Sequence, residues 1–116
     1  MKPQRIAFAW AMKTYGSVVR STRYQAFRFI EEALELAQAM GLSREDVIRV
    51  VDHVFSRPQG DTYVEVGDVR LTLDILAETQ EIDSDECYEG CMIRVLALDP
   101  AKMREKDKMK IEKGLY

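Results

Sequence analysis

Two clusters of acids stand out in this 116-residue chain, Glu31-Glu32-Ala33-Leu34-Glu35 and Glu65-Val66-Gly67-Asp68. Glu32/Glu35 and Glu65/Asp68 share i,i+3 spacing, which on a helix sets both carboxylates on one side, roughly 5–6 Å apart at Cβ. Two such helices side by side would converge four carboxylates on one point. That excess of hard oxygen ligands suits Mg²⁺, or Mn²⁺ in its place, rather than Zn²⁺, which prefers His and Cys. The single histidine, His53, has no nucleophile in its neighbourhood and reads as a surface or partly packed residue. Cys87 and Cys91 lack the companion Cys or His ligands of a metal site and read as two reduced thiols. No glycine-rich phosphate loop is present, so Walker-type nucleotide chemistry is not supported.

Acids on helices are ordinarily solvated, so their placement among apolar residues decides the matter. Read at about 100° per residue, the segment around Glu65 carries two apolar stripes, Val66/Val69/Leu73/Leu76 and Val64/Leu71/Ile75. Glu65 and Asp68, with Thr72 one turn on, fall between the stripes, whereas Arg70, Asp74 and Glu78 point the other way and form a wet face. Carboxylates flanked by core-forming residues on both sides need a cation, a partner or a proton, because burying them unpaired is costly. The helix bearing Glu31, Glu32 and Glu35 has its own apolar arc of Phe27, Phe29, Ile30, Ala33, Leu34, Leu36, Ala37 and Met40. Taken alone, its acids read as an exposed face with Arg28–Glu32 and Arg28–Glu35 pairs, and Glu32 is the one expected to be partly buried.

The elements that position these acids read as five or six helices in one domain spanning residues 1–116. A short helix is expected around Arg5–Lys13, then a long one from about Val19 to Met40, stopped by Gly41. Ser43 caps a third, with Glu45 and Asp46 in its first turn, fading near Phe55 before the turn Arg57-Pro58-Gln59-Gly60. A fourth runs from about Thr62 to Thr79, although the alternation over residues 64–73 also fits a strand. Asp83 and Glu86 box the start of a fifth that reaches Ala97, and Pro100 opens a last, strongly charged helix. No internal repeat or linker is evident.

Composition narrows the function classes. Apolar residues at 47% and charged residues at 32% describe a globular chain, and a net charge of −3 argues against stable nucleic-acid binding. No basic recognition helix appears, which disfavours a helix-turn-helix regulator. No apolar run approaches the roughly 18 residues that cross a membrane. The short patch Ile6–Met12 lacks a small-residue cleavage site, so a cytoplasmic protein is expected rather than a secreted one.

At its acid clusters the sequence resembles the MazG-like, all-α nucleoside triphosphate pyrophosphohydrolases, whose pattern is E-E-x-x-E, a variable spacer, then E-x-x-D. The apolar positions of residues 28–36 and 65–73 resemble the family too, and the segment from Arg28 to Leu76 is similar to its small phage and bacterial members. The resemblance implies a helical bundle completed as a homodimer or homotetramer, with Mg²⁺ held by Glu32, Glu35, Glu65 and Asp68. Glu31 would be a further ligand or support, and Glu31 and Glu35 the candidates for activating water. The implied substrate is a ribo- or deoxynucleoside triphosphate, split into monophosphate and pyrophosphate. Members often supply basic residues from a late helix to the phosphates. The candidates here are Lys102, Arg104 and Lys106, with Arg28 as a rival. Interleaved acids also make that late helix readable as a solvated one. The other reading of the whole chain is a MazG-like protein that binds nucleotide or metal without turnover, or serves as an interaction module.

Overall fold

In the computed structural model, which describes residues 2–116, the chain is all-α, with no strand among the described residues. Its helices are α1 (Pro3–Tyr15), α2 (Thr22–Ala39), α3 (Arg44–Phe55), α4 (Thr62–Thr79), α5 (Ser84–Leu96) and α6 (Pro100–Glu112). Helices α2, α4, α5 and α6 each start on a short polar side chain that accepts from free backbone N–H groups. Ser21 Oγ accepts from Tyr24 N at 3.2 Å, Asp61 Oδ1 from Val64 N at 3.1 Å, and Asp99 Oδ1 from Ala101 N at 2.9 Å. Asp83 Oδ1 accepts from both Asp85 N and Glu86 N ahead of α5. The Asp61 cap resolves the ambiguity over residues 64–73 in favour of helix.

One boundary differs from expectation. The long helix begins at Thr22 rather than near Val19, because Gly16–Arg20 forms a 3₁₀ turn that opens on Gly16 at φ 81°. That turn places Val19 in the core at 3% exposure, and Gln25 Nε2 donates to its carbonyl at 3.1 Å.

Helices α2 and α4 are each 18 residues long and end alike. Past α2, Gly41 adopts φ 92° and Leu42 N donates to Ala37 O at 3.1 Å. Past α4, Glu81 adopts φ 56° and Ile82 N donates to Ala77 O at 3.0 Å. Both are left-handed terminations that satisfy carbonyls of the last turn. The two helix pairs α2–α3 and α4–α5 keep a 40-residue offset, 22 to 62, 39 to 79 and 44 to 84. The sequence conceals this period because few residues coincide, Leu36/Leu76 and Ala37/Ala77 among them.

The chain divides into two compact units, one running to Ser43 and including Ala97–Tyr116, the other Arg44–Leu96. The first holds a small core of Val19 and Tyr24, with Thr14 and Asp107 buried beside them. Its aromatic contacts include Tyr116 edge-on to Tyr24 at 5.2 Å and tilted against Phe27 at 6.3 Å. The second unit, α3–α5, carries no buried residue. This corrects the expectation that the stripes of α4 enclose Glu65 and Asp68. Val66, Leu71 and Ile75 are 65%, 59% and 57% exposed, and both acids are exposed as well. The stripes are present in the helix, but the single chain leaves them facing solvent.

Candidate metal centre

Helix α2 gathers the first acid cluster. One carboxylate oxygen from each of Glu31, Glu32 and Glu35 lies within 4.8 Å of the others, close enough for a single cation to bridge them. The i,i+1,i+4 spacing produces this from one helix, since residues one turn apart overlie each other.

Burial is distributed differently from the sequence expectation. Glu31, not Glu32, is the half-buried acid, while Glu32 and Glu35 are exposed. The reason is the face that α2 turns inward. Tyr24, Phe27, Arg28 and Glu31, spaced i,i+3,i+4,i+7, meet α6 and Tyr116, whereas Phe29, Ile30 and Leu34 of the apolar arc remain 53%, 47% and 41% exposed.

Arg28 does not take up the Arg28–Glu32 and Arg28–Glu35 pairs that its position suggests. Its Nη1 lies 4.0 Å from Asp107 Oδ1, and its guanidinium stacks over the Tyr15 ring at 5.5 Å. Glu31 is engaged from α6 and the tail, by Lys110 Nζ at 2.8 Å and Tyr116 Oη at 3.1 Å, both on Oε1. The Lys110 ammonium, bonded to Glu31, lowers that carboxyl's pKa against the opposing effect of partial burial, with help from Tyr116 and Arg28. Burial works against the Lys110 cation, but its bond to Glu31 and the nearby Tyr116 outweigh this and raise its pKa.

Beneath this edge lies a buried polar cluster. Tyr24 is 6% and Asp107 7% exposed, and neither the Tyr24 hydroxyl nor Asp107 Oδ1 meets hydrogen-bond geometry with any described residue. Burial first, then the adjacent Asp107 carboxylate, push the Tyr24 phenol above its ordinary range.

The second acid pair sits near the start of α4. Gly60 leaves room for the Glu65 carboxyl to fold back over the preceding turn, since a Cβ there would lie 2.5 Å from Glu65 Oε1. Thr72 Oγ1 bonds back to the carbonyls of Asp68 and Val69, both at 3.0 Å, and so is tied to its own helix. A cavity of about 530 Å³ in this unit is lined by Asp74, Glu78, Glu81 and Asp83 among others, on the face of α4 turned away from Glu65 and Asp68.

Of the candidate phosphate ligands, Arg104 Nη1 donates to Thr14 O at 3.2 Å and joins α6 to α1. Lys102 and Lys106 are exposed on α6. Lys110 and Tyr116 were not among the residues singled out from sequence. The readable trace of their role is the reciprocal i,i+3 charge pattern of Arg28/Glu31 and Asp107/Lys110.

The donor set fits a hard divalent cation, being carboxylate oxygen throughout, with both thiols exposed elsewhere on α5. No described helix is long and apolar enough to cross a membrane. No family model, curated protein or solved structure matches the chain.

Proposed function

We propose that this chain is a Mg²⁺-dependent nucleoside triphosphate pyrophosphohydrolase of the MazG-like kind, working as a homodimer or homotetramer in the cytoplasm. The observation that carries the reading is the clustering of Glu31, Glu32 and Glu35 oxygens within 4.8 Å on α2. The likeness of both acid motifs to that family, with the all-α architecture around them, supports it. Glu32 and Glu35, with Glu31 as a further ligand, would hold the metal, and the likeness to the family gives Glu65 and Asp68 a ligand role as well; the ion would supply charge neutralisation at phosphate oxygens and acidity to a water.

The protein's own part is positioning and proton transfer. A carboxylate at the cluster's edge takes a proton from water, whose oxygen bonds to the α-phosphorus. The bond from that phosphorus to the bridging oxygen breaks, and pyrophosphate leaves in line with the attack. Glu35 is better suited to this base role than Glu31, whose Oε1 is occupied by Lys110 and Tyr116.

Association rests on exposed apolar surface. Phe29, Ile30 and Leu34 on α2, and Val66, Leu71 and Ile75 on α4, form faces that a monomer leaves wet. A second copy would cover them and supply pocket walls that select base and sugar.

The test is pyrophosphate release from a panel of ribo- and deoxynucleoside triphosphates with Mg²⁺ or Mn²⁺. Release is expected from at least one substrate, and Glu35→Gln should lower it by about a hundredfold or more. Silence across the whole panel would sink the enzyme reading. A second reading, a protein that binds nucleotide or metal without turnover, draws on the engagement of Arg28 by Asp107 and of Arg104 by Thr14, which leaves fewer cations for phosphate. Calorimetric binding of a Mg²⁺–nucleotide without any release would favour it.

A further inference from the structure

One member of the acid triad, Glu31, already pairs with a cation that belongs to the chain itself. Lys110 Nζ sits 2.8 Å from Glu31 Oε1, and Tyr116 Oη donates to the same oxygen at 3.1 Å. The pair is 32% and 23% exposed at its side chains, so it is partly shielded yet within reach of a dissolved ion. With three carboxylates drawn within 4.8 Å, mutual repulsion is relieved by any positive charge placed among them. Lys110 supplies such a charge at Glu31. A dication on Glu31 either displaces Lys110 from Oε1 or binds Oε2 against the repulsion of the ammonium, and both set the two cations in competition.

Lys110 is also not free to move alone. Three residues earlier Asp107 faces Arg28 of α2, and three earlier again Arg104 donates to the Thr14 carbonyl of α1. This row at 104, 107 and 110 seats α6 on its neighbours, and the aromatic contacts of Tyr116 with Tyr24 and Phe27 extend the seat. Pulling Lys110 from Glu31 therefore loosens one end of the row.

We infer that α6 with Tyr116 is an autoinhibitory strap, in which the Lys110 ammonium and a divalent cation compete for Glu31. The inference rests on the proposal that the triad binds such a cation. Linkage makes the antagonism mutual, so seating α6 weakens cation binding and cation binding loosens α6.

The experiment is Mn²⁺ titration of the full chain, following free Mn²⁺ by electron paramagnetic resonance, for wild type, Lys110→Met, Lys110→Arg, Tyr116→Phe and Glu32→Gln. Lys110→Met is expected to bind Mn²⁺ about tenfold tighter than wild type. Tyr116→Phe, which loses one hydroxyl and keeps the ring, should gain about threefold. Lys110→Arg keeps the cation and should stay near wild type, and Glu32→Gln should bind more weakly. Saturating Mn²⁺ should also speed tryptic cleavage within α6 of the wild type and not of Glu32→Gln. If Lys110→Met and Tyr116→Phe bind no tighter than wild type while Glu32→Gln still weakens binding, the strap is overturned and the metal centre stands. If no variant binds Mn²⁺, both are overturned. Should Lys110→Met fail to fold, the gain or its absence in Tyr116→Phe decides.

Discussion

Arg28 and Glu31 lie one turn apart on α2, and Asp107 and Lys110 one turn apart on α6, so the two helices meet through reciprocal charges running in the same direction. Arg28 is the more consequential partner, because Asp107 is only 7% exposed. Replacing Arg28 by Met keeps an apolar stem but leaves that carboxylate without its cation. We expect a loss of about 2–3 kcal/mol in urea unfolding. Asp107→Asn should cost less, since Arg28 is 26% exposed at its side chain and can be hydrated. The acids of the candidate centre were legible because their spacing is local and one helix suffices to gather them. Lys110 and Tyr116 were not, because their contacts with Glu31 span 79 and 85 residues of chain. The inward turn of Glu31 rather than Glu32 was hidden for the same reason. An apolar arc marks which face of a helix seeks cover, not which face a distant charged helix will occupy.

The helices themselves were largely readable, since caps and terminators are short-range chemistry. Asp83 and Pro100 mark starts that the structure retains, and Gly41 marks an end. The start of α2 is not legible in the sequence, because the 3₁₀ turn over Gly16–Arg20 has no distinctive composition. The comparison of α2 with α4 gives a direct prediction. Glu81 holds the left-handed conformation that Gly41 holds at the matching point, and Glu81→Gly should stabilise the chain by about 0.5–1 kcal/mol in thermal unfolding.

Seating of α6 should depend on pH at both ends. Glu31 has a lowered pKa, so its contribution is present above the unfolded value of 4.5 and is lost as pH falls through and below that region. Lys110 has a raised pKa, so its contribution is present below the unfolded value of 10.5 and is lost as pH rises past it. Around this pair stand Tyr116 and Arg28, and Arg28 stays charged across the acid range. Near-UV circular dichroism from the Tyr24–Tyr116 contact should therefore weaken between about pH 5 and pH 3, with the transition blunted in Lys110→Met. An unchanged acid transition in that variant would remove Glu31 from the seat.

At the scale of the whole molecule the decisive fact is the unit α3–α5, which forms helices without burying any residue. Short helices are marginal in water on propensity alone and depend on covered faces. The apolar stripes of α4 were legible in the sequence, whereas their exposure was not, because packing by distant elements leaves no local pattern. Sedimentation velocity should give a mass above the 13.4 kDa of one chain, and Leu71→Asp, placed on an exposed stripe, should shift the protein toward monomer. A strictly monomeric wild type with strongly protected amides in α4 would contradict association. Oxygen labelling tests the proposed reaction at the acid triad most directly. Turnover of a nucleoside triphosphate in H₂¹⁸O with Mg²⁺, followed by mass spectrometry, should place the label in the nucleoside monophosphate and none in pyrophosphate. Label in released phosphate or pyrophosphate, or no turnover at all, would contradict it.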